Sequence, residues 1–295
     1  QVRPLAARSN WTRISDQVIN IAIEEIRDRI VNLSDSSANL GGDRAIFAEM
    51  TDWNPAEMIG NAPRPLALSL YKKLITDAVW SQARARMGYR SVSGPLLYEF
   101  HGRPYIDVRK SLNSFLPNGI TPDVADSIIT HQLNVLQANR DLHDKVEFAI
   151  AVTCKDFESG KIDARMREAG LKAESRRDFE RRIHTLTSRI IKEGASGLSP
   201  LISEANSLLK APEPEPVSQP CKLIGGLLAN CQKLGTLPFA QLARHGFIGV
   251  QLLRSLVVRE IFDEDDVAGF MRGVQTVATD LICDMNEVHR GVLDV

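Results

Sequence analysis

The sequence has few features that name a reaction, and its scarcities exclude several classes of protein. Its four cysteines lie far apart without a CxxC pair, which argues against a disulfide framework and favours reduced thiols in the cytoplasm. No apolar run reaches the roughly eighteen residues of a membrane-spanning helix, so no membrane span is expected. The net charge of −1 gives no long-range attraction to nucleic acid or anionic lipid, and we expect neither as a partner.

Motifs of known catalytic chemistry are equally scarce. The chain contains no nucleophile elbow, no P-loop and no dinucleotide-binding glycine motif. None of the six histidines stands at the spacing of a helical metal pair, so no metal site is predicted. His143 and Glu147 are four residues apart, but a hydrogen bond on a helix surface explains this spacing better than a ligand pair. We therefore predict no catalytic residue and no bound cofactor in this chain.

The apolar spacing predicts a mainly α fold with many helices and a small β element, because most of the chain repeats every three or four residues. Ser15 can cap a first helix whose apolar stripe, from Ile19 to Leu33, is expected to be buried. Two short strand-like runs flank His-Gly-Arg-Pro, which predicts a β-hairpin or small antiparallel sheet. Residues 146–153 fit helix and strand equally. Asp263 is expected to cap one unbroken last helix.

Composition divides the chain into four parts. Residues 1–12 are basic and proline-bearing, and residues 13–193 form a helical central domain with the small β element. Residues 194–220 are a proline-rich connector, in which a short apolar helix that is expected to dock on its neighbours precedes prolines that hold the chain extended. The helices of residues 221–295 are expected to pack on the central domain. Because the chain opens without methionine and closes without a terminal signal, we expect a piece of a longer protein.

The stretch 52–71 is the most unusual part of the sequence. It combines Trp, Asn, Glu and Arg with three prolines and a glycine, which is typical of a chain path set by special dihedral angles. Asp52, Glu57 and Asp107 are candidates for acid–base groups. For two of them a structural role is the better interpretation, since Asp52 can cap a turn and Glu57 can meet a helix dipole.

Several basic residues are candidates for holding an anion or for locking the fold. Arg64 and Arg109 fall in irregular or hairpin regions, where a guanidinium can bind phosphate or carboxylate, or tie loops to carbonyls. Arg244 and His245 are polar neighbours in an otherwise apolar helix. Such groups must be satisfied within the core or at a pocket wall, and both alternatives stay open.

Four groups of residues carry a resemblance to a known family. They are Trp-Asn-Pro-Ala-Glu within 52–71, Tyr-Ile-Asp-Val-Arg with Asn-Ser-Phe in 105–115, Asp-Lys-Val-Glu-Phe at 144–148, and Phe-Ala with Ala-Arg-His-Gly-Phe in 239–247. Together they resemble the central region of phosphotransferases related to phosphoenolpyruvate synthase and pyruvate phosphate dikinase. The layout is similar to that of rifampin phosphotransferase, in which a helical middle separates an ATP-grasp domain from a swivelling phosphohistidine domain.

The resemblance implies a domain of an ATP-dependent phosphotransferase that converts ATP and an acceptor to AMP, phosphate and phosphorylated acceptor. Gln1 and Arg3 resemble residues that hold the nucleotide at the end of the ATP-grasp domain, so residues 1–12 would be its tail. The rest of that domain and the Gly-rich signature around the carrier histidine have no counterpart in this chain. We therefore expect the parent to use ATP and Mg, with both domains as partners, and this chain alone to be inactive.

The implied acceptor site is a helical pocket with apolar walls and a few polar groups, fit for a small molecule. Its candidate wall residues are Trp53, Asn54, Arg64, Tyr71, Arg109, Asn113, Arg244 and His245. For each of these residues taken singly, a role in locking the fold is the better interpretation. The alternative function is a non-catalytic scaffold that spaces the two other domains. The acceptor itself cannot be read from the sequence.

Overall fold

The computed structural model describes residues 16–35, 39–192, 194, 197–210, 220–274 and 277–290. Within these ranges the chain is mainly helical with one small antiparallel sheet, which confirms the predicted fold class. The α-helices are α1 (Asp16–Asp35), α2 (Pro55–Ile59), α3 (Pro65–Tyr71), α4 (Val79–Met87), α5 (Val108–Asn113), α6 (Pro122–Ala138), α7 (Lys161–Glu168), α8 (Ala173–Ile191), α9 (Leu198–Leu209), α10 (Pro220–Asn230), α11 (Leu237–Val258), α12 (Glu264–Gly273) and α13 (Val277–His289).

The predicted hairpin forms most of the sheet. Strands β2 (Leu97–Phe100) and β3 (Arg103–Asp107) pair antiparallel, and β1 (Phe47–Ala48) pairs antiparallel with the other edge of β3. The turn between β2 and β3 has left-handed φ angles of 47° at His101 and 79° at Gly102. Two such residues match the right-handed twist of the flanking strands. The helix α5 begins at the residue that directly follows β3 and carries the chain from the sheet into the core.

The main core lies between α5, α6, α7 and α8. Leu112, Ile129 and Phe179, from three of these helices, are at most 1% exposed and belong to one apolar cluster. Residues 146–153, for which the sequence left helix and strand open, begin with a π-helical turn at Val146–Ile150 and continue with extended backbone at Ala151. This segment packs against α6 and brings its polar side chains toward α11.

The helix α1 forms as predicted, with Ser15 outside the described residues, but its apolar stripe is not buried. Ile19 is 45% exposed and Ile23 is 39% exposed, whereas Ile30 and Leu33 are partly covered. The expectation of one buried stripe is therefore wrong, because the described part of the chain leaves the first turns of α1 uncovered. These turns present an apolar face to their surroundings.

The C-terminal part differs from its prediction at the last helix. Asp263 caps α12 through reciprocal hydrogen bonds with Asp266, as the capping prediction required. The predicted unbroken helix is instead divided, because α12 ends at Gly273 and Val274 has extended backbone. Glycine at 273 weakens the helix, and the seam around Phe270, which is 61% exposed, lacks the packing that would hold the helix together. Gly291, the expected end, lies outside the described residues.

The connector predicted at 194–220 contains the short apolar helix expected there, which is α9. In α9 the side chain of Leu201 is 2% exposed, and the helix packs against α11. Residues 211–219, which carry most of its prolines, lie outside the described ranges. The helix α11 also packs along α4, so that the C-terminal part contacts the central part of the chain through this pair of helices.

Candidate functional site

A cleft of about 300 Å³, called here the central cleft, opens where α4 and α11 face two irregular segments. Its walls come from residues 50–54, from residues 80–84 of α4, from residues 144–148 and from residues 239–247 of α11. These segments are far apart in the sequence, so only tertiary packing brings them together. They supply both aromatic rings and charged side chains to the same concave surface.

The segment that begins the family-like motif has an unusual backbone. Asp52, Trp53 and Asn54 have positive φ angles of 39°, 63° and 31°, a conformation that residues other than glycine rarely adopt. The Asn54 side chain accepts a hydrogen bond from the backbone N–H of Glu57 at 3.3 Å and so caps α2. Three such residues in succession persist only where neighbours hold them.

Tyr71 provides one of these neighbours. Its hydroxyl donates a hydrogen bond of 2.5 Å to the backbone carbonyl of Trp53. Burial, with a smaller contribution from the Asp52 charge, raises the pKa of Tyr71 above its ordinary value, so the phenol keeps its proton for this bond. Tyr71 thus does not line the central cleft itself but supports the backbone of residues 52–54, which do.

An ion pair joins residues 52–54 to α4. Nη2 of Arg84 donates to both carboxylate oxygens of Asp52, at 2.7 and 2.8 Å, and Ser111 Oγ donates to the same carboxylate at 2.7 Å. The side chains of Arg84 and Asp52 are only 9% and 6% exposed. The guanidinium also lies 4.0 Å from the centre of the Phe115 ring. Asp52 therefore holds this wall together, and the capping role expected for it falls to Asn54.

A second buried ion pair crosses the cleft from residues 144–148 to α11. Nη1 of Arg244 donates to the Glu147 carboxylate, and the guanidinium lies 5.4 Å from the centres of the Phe115 and Phe247 rings. Burial raises the pKa of the Glu147 carboxyl, and the charges of Arg244 and Arg84 oppose that rise. Burial is the largest single effect on Arg244 and lowers its pKa, but the charges of Glu147, Tyr89 and Cys154 and the hydrogen bond to Glu147 together outweigh it, so that the pKa is raised overall. The guanidinium therefore stays charged.

Aromatic rings form the apolar surfaces of the central cleft. The rings of Trp53 and Phe239 lie 6.3 Å apart, and those of Phe148 and Phe247 lie 5.2 Å apart in an edge-to-face arrangement. Trp80, which is 1% exposed, closes the wall on α4. Apolar walls with a few polar groups are the usual make-up of a site for a small organic molecule.

Of the eight residues that the sequence suggested for an acceptor site, three line this cleft. These are Trp53, Asn54 and Arg244. Arg64 is exposed at the start of α3 and stands apart from the cleft. His245 is half-buried on α11, with Nδ1 2.8 Å from the carbonyl of Gln241 and Nε2 3.2 Å from that of Ile190.

Arg109 and Asn113 lie together in a different part of the molecule. The Arg109 guanidinium donates to the carbonyl oxygens of Ser34, Leu40 and Gly41 at 3.0 to 3.3 Å. Asn113 binds both the N–H and the carbonyl of Gly41 at 2.9 Å. Both side chains are thus engaged with the loop that follows α1. Gln1 and Arg3, suggested for nucleotide binding, lie outside the described residues.

Sequence reasoning did not single out Arg84 or Trp80, and it did not identify Arg244 as the partner of Glu147. Arg84 lies close to Arg86 in α4, and nothing in the neighbouring sequence marked it as part of a site. Glu147 was considered only with His143, but the π-helical turn directs it to Arg244 instead. The occurrence of 144–148 among the family-like stretches was the one signal that pointed to Glu147.

Comparisons and searches add little to this geometry. No protein-family model, curated protein or solved structure matches the chain. In the part that the structure describes, no three His, Cys, Asp or Glu side chains are grouped as metal ligands. None of the described helices has the length and apolar character to cross a membrane. The phosphotransferase resemblance therefore stays a prediction from the motifs.

Proposed function

We propose that this chain is the acceptor-binding domain of a cytoplasmic ATP-dependent phosphotransferase and that the acceptor binds in the central cleft. In the parent protein, an ATP-grasp domain would bind ATP and Mg, and a phosphohistidine domain would carry the phosphoryl group to the acceptor. The products would be AMP, phosphate and the phosphorylated acceptor. Neither the nucleotide nor the carrier histidine is assigned to the described residues, so this chain alone is expected not to cleave ATP.

One observation carries this proposal. Three of the four groups of residues on which the family resemblance depends meet at the central cleft. They are residues 52–54 from the Trp-Asn-Pro-Ala-Glu motif, residues 144–148, and residues 239–247. Residues 52 and 84 and residues 147 and 244 are joined there by buried ion pairs. Motif residues that are distant in sequence and converge on one concave surface support a role in binding more than a role in local folding.

The proposal is tested with the parent protein and a panel of hydroxyl-bearing metabolites, by measuring AMP release from ATP. AMP release should depend on an acceptor. Ala243 lines the central cleft, so Ala243→Phe should fill part of it and abolish acceptor-dependent AMP release while the protein stays folded. Ala229 is exposed on α10 and does not line the cleft, so Ala229→Phe is the matched control and should retain activity.

Two results would contradict the proposal. The first is AMP formation by this 295-residue chain alone, since the energy donor would then be bound by these residues. The second is full acceptor-dependent activity of the Ala243→Phe parent, since the cleft would then be dispensable. The second result would leave the assignment to a phosphotransferase intact but would remove the acceptor from this site.

A scaffold that spaces the two other domains is the second candidate function. The observation that favours it is the apolar side of α1, where Ile19 and Ile21 are 45% and 52% exposed. A scaffold of this kind needs α1 and not the cleft. In the parent, Ile19→Asp would then reduce phosphoryl transfer, whereas Ala243→Phe would have no effect.

A further inference from the structure

A buried polar group on the cleft wall, the Arg244 guanidinium, is only partly satisfied. Arg244 is 4% exposed, and its Nη1 binds Glu147, yet its Nε and Nη2 have no hydrogen-bond partner among the described residues. In a guanidinium, the Nε–H and Nη2–H groups lie on one edge and point in parallel directions. A buried donor without an acceptor is costly, and most buried polar groups have a partner. The Nε–Nη2 edge of Arg244 therefore requires a hydrogen-bond acceptor.

A second unpaired donor lies on the α4 wall of the cleft. Trp80 is 1% exposed, and its indole Nε1–H also lacks a partner among the described residues. The unpaired buried atoms of the cleft-lining residues are thus all donors: Nε and Nη2 of Arg244, and Nε1 of Trp80. A complementary molecule must supply oxygen or nitrogen acceptors, and it needs no donor at these positions.

The charges around the cleft argue against an anion. The ionisable lining residues are two arginines and three acids, and each arginine already has a carboxylate partner. Asp144, the third acid, is exposed at the rim. An added carboxylate or phosphate would therefore have no uncompensated cation to pair with and would lose its hydration on entry. A neutral molecule avoids this cost.

The aromatic rings define the body of the ligand. Trp53 with Phe239 on one side, and Phe148 with Phe247 on another, offer flat apolar surfaces. A flat apolar ring system packs on such surfaces through dispersion and edge-to-face contacts. The volume of about 300 Å³ accommodates a small molecule of this kind and not a peptide or nucleic acid.

We propose that the central cleft binds a neutral, flat, largely apolar molecule whose carbonyl-type oxygen accepts hydrogen bonds from the Nε–Nη2 edge of Arg244. This inference rests on the proposed function and names the chemical class of the acceptor for that site. It excludes ligands that place a carboxylate or a phosphate inside the cleft. The hydroxyl that receives the phosphoryl group would lie on another part of the same molecule, toward the open side.

The test compares two probes of almost identical shape, 1-naphthamide and 1-naphthoate, by equilibrium dialysis against the chain at pH 8. The neutral amide should bind at least about tenfold more tightly than the anion, because the anion enters a cleft without a free cation. Ala243→Phe should abolish binding of the amide, and Ala229→Phe should leave it unchanged.

Two further variants separate the role of the edge from that of the charge. Arg244→Lys keeps a cation beside Glu147 but loses the paired donors, so affinity for the amide should fall about tenfold. Glu147→Gln removes one carboxylate and should raise affinity for naphthoate while changing that for naphthamide little. Thermal unfolding of each variant establishes that it is folded before its affinity is compared.

Each adverse result has a distinct meaning. Tighter binding of naphthoate than of naphthamide by the unaltered chain would overturn the neutral class but leave the cleft as a binding site. Undiminished binding of the amide by folded Arg244→Lys would overturn the role of the guanidinium edge. Failure of both probes to bind, or binding that Ala243→Phe does not change, would overturn this inference and remove support from the proposed function as well.

Discussion

Asp52 and Arg84 are joined by a two-point hydrogen-bonded ion pair, with Nη2 of Arg84 at 2.7 and 2.8 Å from the two carboxylate oxygens of Asp52. The pair is almost fully buried. It connects the left-handed turn that begins the Trp-Asn-Pro-Ala-Glu motif to the middle of α4. Both residues lie on the central cleft, so the pair fixes the distance between two of its walls.

Removing Asp52 should therefore be strongly destabilising. Asp52→Ala leaves the Arg84 charge buried without its partner, and we expect a loss of about 3 to 5 kcal/mol in the free energy of unfolding, measured by urea denaturation. Asp43 forms an ion pair of the same length with Arg44, but its side chain is 54% exposed. Asp43→Ala should cost less than about 1 kcal/mol. Equal costs for the two variants would refute the structural role of the buried pair.

Arg109 should tolerate no replacement, not even by lysine. Its planar group donates to the carbonyl oxygen of Ser34 at the end of α1 and to those of Leu40 and Gly41 in the loop after it, and a lysine ammonium cannot reproduce this geometry. We expect Arg109→Lys to cost about 2 to 4 kcal/mol in urea denaturation, because buried carbonyls lose their donors. Arg64→Lys, at an exposed position, should be near neutral. A neutral Arg109→Lys would return Arg109 to the list of candidates for ligand binding.

Two glycines in ordinary backbone conformations should respond oppositely to alanine. A Cβ on Gly41 would lie 2.6 Å from the backbone carbon and oxygen of Ala125, which cannot move without distorting α6. Gly41→Ala should therefore destabilise the protein by more than about 2 kcal/mol. A Cβ on Gly225 in α10 meets nothing within 4 Å, so Gly225→Ala should add up to about 1 kcal/mol. Thermal unfolding of both variants checks the difference, and a shift of the same sign in both would be inconsistent with the packing of residues 41 and 125.

Asp107 should make stability fall as the pH rises from about 4 to about 6. Burial raises the pKa of this carboxyl from 3.8 to about 6, against the opposing effects of the N–H and charge of Lys110. In this range the folded state binds the proton more tightly than the unfolded state, so the free energy of unfolding decreases with pH by at most about 3 kcal/mol from this group. The Asp107 side chain also caps α5, a role that asparagine can keep. Asp107→Asn should flatten the decline, and parallel pH curves for the two proteins would show that Asp107 does not cause it.

The fold class and most elements could be predicted because they depend on local spacing. The hairpin followed from a change of period on each side of His-Gly-Arg-Pro, and Asp263 was identified as a cap from residue type and position. The exposure of Ile19 on α1 could not be predicted in the same way. Periodicity identifies the apolar face of a helix but not whether another element covers it.

Fewer features of the site than of the fold could be predicted from the sequence. Trp53, Asn54 and Arg244 were selected from motifs, and they do line one cleft. Arg109 and Asn113 are of the same residue types as Arg244 and Asn54, but they hold the loop after α1. The hydrogen-bond partners of such side chains are decided by tertiary structure and not by their neighbours in sequence. The break at Val274 and the π-helical turn before Ile150 likewise depend on packing, which a sequence period does not report.

The most direct test observes the Nε–H group of Arg244 itself. In a proton–nitrogen correlation spectrum of arginine side chains, the Arg244 signal is assigned as the one that disappears in Arg244→Lys. Addition of 1-naphthamide should shift this signal, and the same concentration of 1-naphthoate should shift it much less. Binding of 1-naphthamide that leaves the Arg244 Nε–H signal in place would contradict the claim that this edge of Arg244 holds a neutral carbonyl-bearing acceptor in the central cleft.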